Sequence, residues 1–582
     1  MRLTSLLVAC LLSSPVLAAT PTEEFQKLLD EHWAWHLKTN PLQATSLGVR
    51  DYDRELGDPS LAEADRQAAQ AKAFVARLDK LDTTKLSESD RLNHAILRRD
   101  LSRTVEGNRF GQRTMRFSNR GGWHTFLATL PDQLPFYTKS DYESYLARLE
   151  AFPAYNKASL AVSREALKGG YVHACEPMQG FEKTIATHIV TEPAKSVFMR
   201  PFKTKPASIT DADWKALETR ALELVSTQLV PAYREFQTFY TTQYAPKCRK
   251  AVGASAMPQG KEFYAYRVKT NTTTDMTPEQ IHQLGLSEVA RIRAEMDQVV
   301  KRANFQGDRK AYVEYLRTDP RFYAKTGEEL MTVAASLAKR IDGEMPKLFG
   351  RLPRLPYTVK EIPPDIAEGT TTAYYESGAA ETGRAGVYRV NTSKLDQRPL
   401  YEMPALTVHE AVPGHHHQIA LQQELELPKF RRHAVFFTAF VEGWGLYSER
   451  LGIEMGLYDT PEKDFGRLSY EMWRACRLVV DTGMHAKGWT REQAINFMLE
   501  NTALSRHNIE AEVNRYITWP GQALAYKIGE LKIRELRTKA ERELGDTFDL
   551  RAFHDAVLEN GPLPLDVLES HVNAWIARRK GA

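Results

Sequence analysis

The sequence is poor in cysteine, with four among 582 residues. That excludes a disulfide-dense scaffold, and no two are spaced as metal ligands. No uninterrupted apolar run reaches about 18 residues, so nothing reads as a stable membrane span. The net charge is only +4 and the basic residues are scattered, which leaves no basic run to argue for nucleic acid or an anionic membrane. There is no internal repeat, no low-complexity tract and no HExxH. What is present is an ordinary soluble composition, 42% apolar and 26% charged, in a chain long enough for two or three packed lobes.

The first residues are informative. Arg2, a mostly apolar run over 3–12 and small residues up to Ala19 make a secretory signal peptide over 1–19, with cleavage expected after Ala18 or Ala19. The mature protein is therefore expected outside the cytosol, periplasmic or secreted, with the Gram-negative periplasm favoured. Leu7-Val8-Ala9-Cys10 has the look of a lipoprotein box, but the residues after Cys10 stay apolar instead of forming a polar tether. Export permits one disulfide. Cys175 and Cys248 lie in loop-like stretches and are the expected pair, while Cys476 sits in a helical pattern and reads as a buried thiol.

Periodicity predicts a mainly α-helical protein with a multi-helix cleft. Residues 20–255 read as an N-terminal helical lobe, with Ser140-Asp-Tyr-Glu143 as a capping box. Residues 256–582 read as a second, catalytic lobe. It opens with a capping box at Thr277 to Gln280 and a long amphipathic helix through Ile281, Leu284, Val289, Ile292 and Met296. Within 356–392 three short strand-like runs, 357–362, 371–375 and 386–391, predict a small antiparallel sheet. An edge of that sheet could pair with a substrate backbone. Helices resume over 400–450 and continue to the end.

The chemistry concentrates in 405–418, ALTVHEAVPGHHHQ, and 440–449, FVEGWGLYSE. Two imidazoles, a carboxylate ligand and a spare carboxylate are the equipment of a zinc hydrolase. The usual helix presents histidines at i and i+4, but here i+4 from His409 is Pro413. A proline there clashes with the carbonyl of His409, so the helix must kink, bulge or turn at Pro413-Gly414. That would let His415 face the metal held by His409, with His416 and then His417 as competing choices. Glu442 is the expected third ligand. Glu449, seven residues on, shares its face and could orient His409. Glu410 has the position of a general base. Taken singly, a histidine run is often just a polar surface and a lone glutamate a buried paired acid. The combination turns the reading toward zinc.

These motifs, with RLVVDTGMHAKGW from Arg477, EVNRYITWPGQALAYKIG from Glu512, and weaker matches at KTNTTTDMTPEQIHQLG and YRVNT, resemble a large bacterial family. It is the domain of unknown function 885, whose members are predicted gluzincin-type zinc peptidases. The resemblance implies one zinc per chain on His409, His415 and Glu442, with Glu410 as the base. A more distant likeness is to angiotensin-converting-enzyme-type peptidases, which place a His some ten residues before an Arg-Tyr pair. His507 and Arg515-Tyr516 stand in similar order, one residue closer. By that likeness Tyr516 stabilises the oxyanion and His507 helps bind the substrate, with Tyr526 as the alternative tyrosine. Arg477, Asp481 and His485, spaced by four, read as a salt-bridge ladder. Alternatively, Arg477 or Arg515 holds a substrate carboxylate. Asn391 is a further candidate substrate contact. The reading is an exported zinc metallopeptidase that hydrolyses short peptides by Glu410-assisted attack of metal-activated water. Its rivals are a binding protein without turnover and a zinc hydrolase of non-peptide amides.

Overall fold

The computed structural model describes residues 20–368 and 370–581, so the leader expected at 1–19 lies outside the described residues. Helix α1 (Pro21–Thr39) starts from a capping box between Thr20 and Glu23. Helix α2 (Glu88–Gly107) is capped by Ser87. Helix α3 (Lys139–Gly169) is capped by Thr138 with Asp141, not by Ser140 with Glu143 as the pattern suggested. The same spacing recurs two residues earlier, and Arg50 also holds Asp141 there. Helix α4 (Gly260–Thr272) follows, and α5 (Pro278–Arg302) opens on the expected Thr277–Gln280 box.

Three strands come next: β1 (Tyr357–Glu361), β2 (Ala373–Glu376) and β3 (Gly386–Val390), in the order β1-β3-β2. β2 is antiparallel to β3, but β1 is parallel to it, so the sheet is mixed and not wholly antiparallel. The reason is burial. β3 carries buried Val387, Tyr388 and Val390 and takes the middle, leaving the more exposed β1 and β2 as edges.

The rest is helical: α6 (Met403–Glu410), α7 (His415–Glu424), α8 (Thr438–Leu451), α9 (Pro461–Ala486), α10 (Arg506–Thr518), α11 (Ala525–Leu544) and α12 (Leu565–Lys580). α9 is the hub, buried at every residue from Phe465 to His485. It nevertheless carries charges, and three of them are answered from other elements. Glu471 meets Lys527 at 2.8 Å, Arg474 meets Glu449 at 3.1 Å, and Arg477 meets Glu512 at 2.9 Å. Asp481 accepts from the Tyr264 hydroxyl at 2.6 Å and from the Gly521 N–H. Arg477, Asp481 and His485 therefore form no ladder along the helix. They fasten it to its neighbours.

One apolar cluster joins α1 and α2, through Phe25, Leu28 and Ile96, to α8, α11 and α12, through Phe440, Trp444, Ile533 and Val572. A second joins α5, β3, α9 and α10. A third is confined to residues 117–244. The first hundred residues thus share a core with the segment around His409 and His415, and the clusters do not divide at 255/256. Cys175 and Cys248 are disulfide-bonded, and Cys476 is a buried free thiol, as read. Among the described residues no helix is long and apolar enough to cross a membrane.

Candidate metal centre

α6 ends at Glu410 and α7 begins at His415. The break between them is complete, not a bulge within one helix. Val412–Pro413 is cis, and a Cβ on Gly414 would lie 2.0 Å from the His409 carbonyl oxygen. Only glycine lets the chain fold back so closely onto the end of α6. Trp444 Nε1 donates to the Pro413 carbonyl at 2.8 Å and holds the turn. The two imidazoles end up edge to face, ring centroids 4.7 Å apart.

Glu442 meets them from α8. Its Oε2 lies 3.8 Å from His409 Nε2 and 3.5 Å from His415 Nε2, and one ligand atom from each of the three residues falls within 4.8 Å of the others. Tetrahedral coordination with bonds of about 2.1 Å sets donors roughly 3.4 Å apart, so the spacing suits zinc. Glu442 Oε2 is buried with no hydrogen-bond partner, the kind of atom a cation satisfies. His409 Nδ1 donates to Glu449 Oε1 at 2.8 Å, which fixes the tautomer and leaves Nε2 for a metal. Burial pulls the His409 pKa down, but the neighbouring carboxylates of Glu442 and Glu449 outweigh it and lift the value to about 9. Burial alone would raise Glu442, yet the two histidines hold it well below the usual carboxylate range. α8 comes so near that a Cβ on Gly445 would sit 2.8 Å from His409 Cε1.

His416 and His417 belong elsewhere. His416 Nδ1 accepts from the Tyr375 hydroxyl and Nε2 donates to the Leu355 carbonyl, both at 3.0 Å, so neither nitrogen is free. His417 packs on Phe349 at 4.5 Å, and burial pushes its pKa down to about 3.

The centre faces a cavity of about 590 Å³, and Glu410 lines it beside the three donors. His507, Arg477, Arg515 and Tyr526 line it too. The Tyr526 ring lies 6.3 Å from that of His409 and nearly parallel to it, and its hydroxyl accepts from Arg515 Nη2 at 3.0 Å. Two expected residues lie away from the cavity. The Tyr516 hydroxyl accepts from Trp473 Nε1 at 2.9 Å and from Arg477 Nε at 2.8 Å, in the packing between α9 and α10. One step along a helix turns a side chain by about 100°, so when Arg515 faces the cavity Tyr516 faces α9. The Asn391 amide donates to the carbonyls of Ala367, Thr370 and Thr371 and closes the loop before β2. Arg477 and Arg515 both pair with Glu512, so the carboxylate clamp expected of them is already occupied.

The lead-in to β2 and its first residues, Thr372 to Tyr375, also line the cavity, so the edge strand expected beside the motif is in place. Sequence reasoning missed Arg120 and Trp519. The Arg120 guanidinium stands 3.8 Å over the Trp519 ring at the cavity wall. Arg120 lies far upstream of the motif, with only the adjoining Gly121-Gly122 to mark it.

No curated protein matches the chain in sequence. A solved structure of a candidate lipoprotein from Colwellia psychrerythraea is similar at TM-score 0.89 and 29% identity, over 96% of this chain and 100% of that one. A candidate lipoprotein of unknown function from Shewanella oneidensis shares the fold at TM-score 0.67 and 20% identity, over 95% and 99%. A candidate oligoendopeptidase F from Bacillus anthracis reaches only 0.29 at 12% identity, over 91% and 98%. A family model matches residues 41–572, and the chain belongs to that family, the bacterial proteins of unknown function DUF885.

Proposed function

We propose that the protein is an exported zinc-dependent metallopeptidase acting on short peptides. One observation carries the reading: three converging donor atoms, the Glu410 carboxylate and an open strand edge share one cavity. Zinc on His409, His415 and Glu442 would supply Lewis acidity and lower the pKa of water toward about 7. Glu410 is placed to take the proton of the attacking water and return it to the leaving amine. The Tyr526 hydroxyl, oriented by Arg515, is the donor for the developing oxyanion. His507, at the cavity wall, contacts the bound chain. The outer edge of β2 offers backbone groups to an extended peptide. The cavity admits a few residues and excludes a folded domain. Export rests on the leader.

The test is mass spectrometry of a mixed peptide pool after incubation with zinc-loaded protein. Cleavage should track one zinc per chain, stop on chelation and return with zinc. Glu410→Gln should keep the metal and lower kcat by about 10²–10⁴-fold. Undiminished turnover by Glu410→Gln would sink the mechanism. Turnover of non-peptide amides alone, or zinc binding without any turnover, would favour the rival readings.

A further inference from the structure

A second chamber of about 350 Å³ adjoins the metal-site cavity, and the two share Arg120 and Trp519. Arg116, Arg120, Arg249 and Arg267 line this chamber, and no aspartate or glutamate does. Among the described residues none of the four is in an ion pair. Arg249 donates to the carbonyls of Val172, Ala251 and Gly253, and Arg267 Nε donates to that of Pro520, so backbone dipoles hold them without neutralising them. Burial pulls the Arg249 pKa down to about 10 and moves Arg267 the same way, outweighing the attraction of Asp481. His173 adds no charge, because burial pushes its pKa down to about 4. Arg116 is exposed at the rim.

Arg116 and Arg120 are open to solvent, but Arg249 and Arg267 are partly buried, and holding desolvated cations around one space is unfavourable unless an anion joins them. Glu512 already answers Arg477 and Arg515 in the neighbouring cavity, so the free positive charge lies on this side of Trp519. Guanidinium matches a carboxylate through two parallel N–H donors. We propose that the chamber is the subsite for a carboxylate of the substrate, either its C-terminal α-carboxylate or an acidic side chain. That the anion is part of a peptide rests on the peptidase reading. That the chamber selects carboxylate does not.

The experiment uses full-length, zinc-loaded Glu410→Gln protein, so that ligand stays intact. Calorimetry measures the binding of one peptide in four forms: aspartate or asparagine at one position, each with a free or amidated C-terminus. Loss of the relevant carboxylate should weaken binding at least about tenfold, the order of one charge-assisted hydrogen bond. Arg267→Gln and, separately, the rim variant Arg116→Gln should erase that preference while leaving the uncharged form unaffected. Equal binding of all four forms, no binding of any, or a preference that survives both substitutions would overturn the proposal. Arginine-dependent binding by a wild-type protein that cleaves nothing would leave the chamber standing and remove the peptidase. Cleavage without carboxylate preference would do the reverse.

Discussion

Two tyrosines at neighbouring positions of the fold have different work. Tyr526 lines the cavity with its ring 6.3 Å from that of His409, whereas Tyr516 spends its hydroxyl on Trp473 and Arg477. Tyr526→Phe should lower kcat by about 10²–10³-fold with zinc content unchanged, the usual effect of deleting one oxyanion donor. Tyr516→Phe should leave kcat within a few-fold but lower the melting temperature, because two buried donors lose their acceptor. Steady-state kinetics beside thermal melts would separate them, and the opposite pattern would return the role to Tyr516. Residue identity was legible where chemistry is local. His409, Glu410, Glu442 and Glu449 lie within two short motifs, and imidazole and carboxylate have few other reasons to be spaced so. Which tyrosine lines the cavity was not legible, because it depends on the rotation of α10 against α9. Arg120 was invisible, since only tertiary packing brings it to the site.

Among the elements, the crossing of α8 and α11 sets the geometry. A Cβ on Gly529 would lie 1.8 Å from the Ala439 carbonyl oxygen, and one on Gly443 would lie 2.5 Å from Gly529. These glycines let α11 lie on α8, which carries Glu442 at the metal centre, while Tyr526 opens α11. Gly529→Ala should therefore destabilise by about 1–3 kcal/mol through overpacking and lower activity together with stability. Urea denaturation read against kcat checks this, and a variant matching the parent in both would show that the crossing yields. The break between α6 and α7 was readable in Pro413-Gly414, because both residues oppose a continuous helix. The cap at Thr277 was readable for the same local reason. Strand direction was not, since alternating texture says nothing about which strand takes the middle of a sheet.

At the scale of the whole molecule, buried neutral histidines tie distant segments together. His485 Nδ1 accepts from the Ala254 N–H at 2.9 Å while Nε2 donates to the Tyr516 carbonyl at 3.0 Å. His554 Nε2 accepts from the Tyr447 hydroxyl while Nδ1 donates to the Leu348 carbonyl, both at 2.8 Å. An imidazolium could not accept in either place. Burial holds both folded-state values at about 3, against 6.5 ordinarily. As pH falls below 6.5 the unfolded chain binds protons that the folded one refuses, so stability is full above 6.5 and drains away toward 3. Asp481 and Glu402, raised by burial to about 7 and about 8, act oppositely but are outnumbered, since His124, His173 and His417 shift as His485 does. The denaturation midpoint should fall measurably between pH 7 and pH 5, and a flat profile would show that these histidines ionise in the folded state. Finally, β2 has a consequence for what such a molecule can discriminate. An edge of four residues engages only a short length of main chain, and main chain is the same in every peptide. Recognition along it carries almost no information about sequence, so a protein built this way would be a generalist, sorting its ligands by size and by where their charge lies.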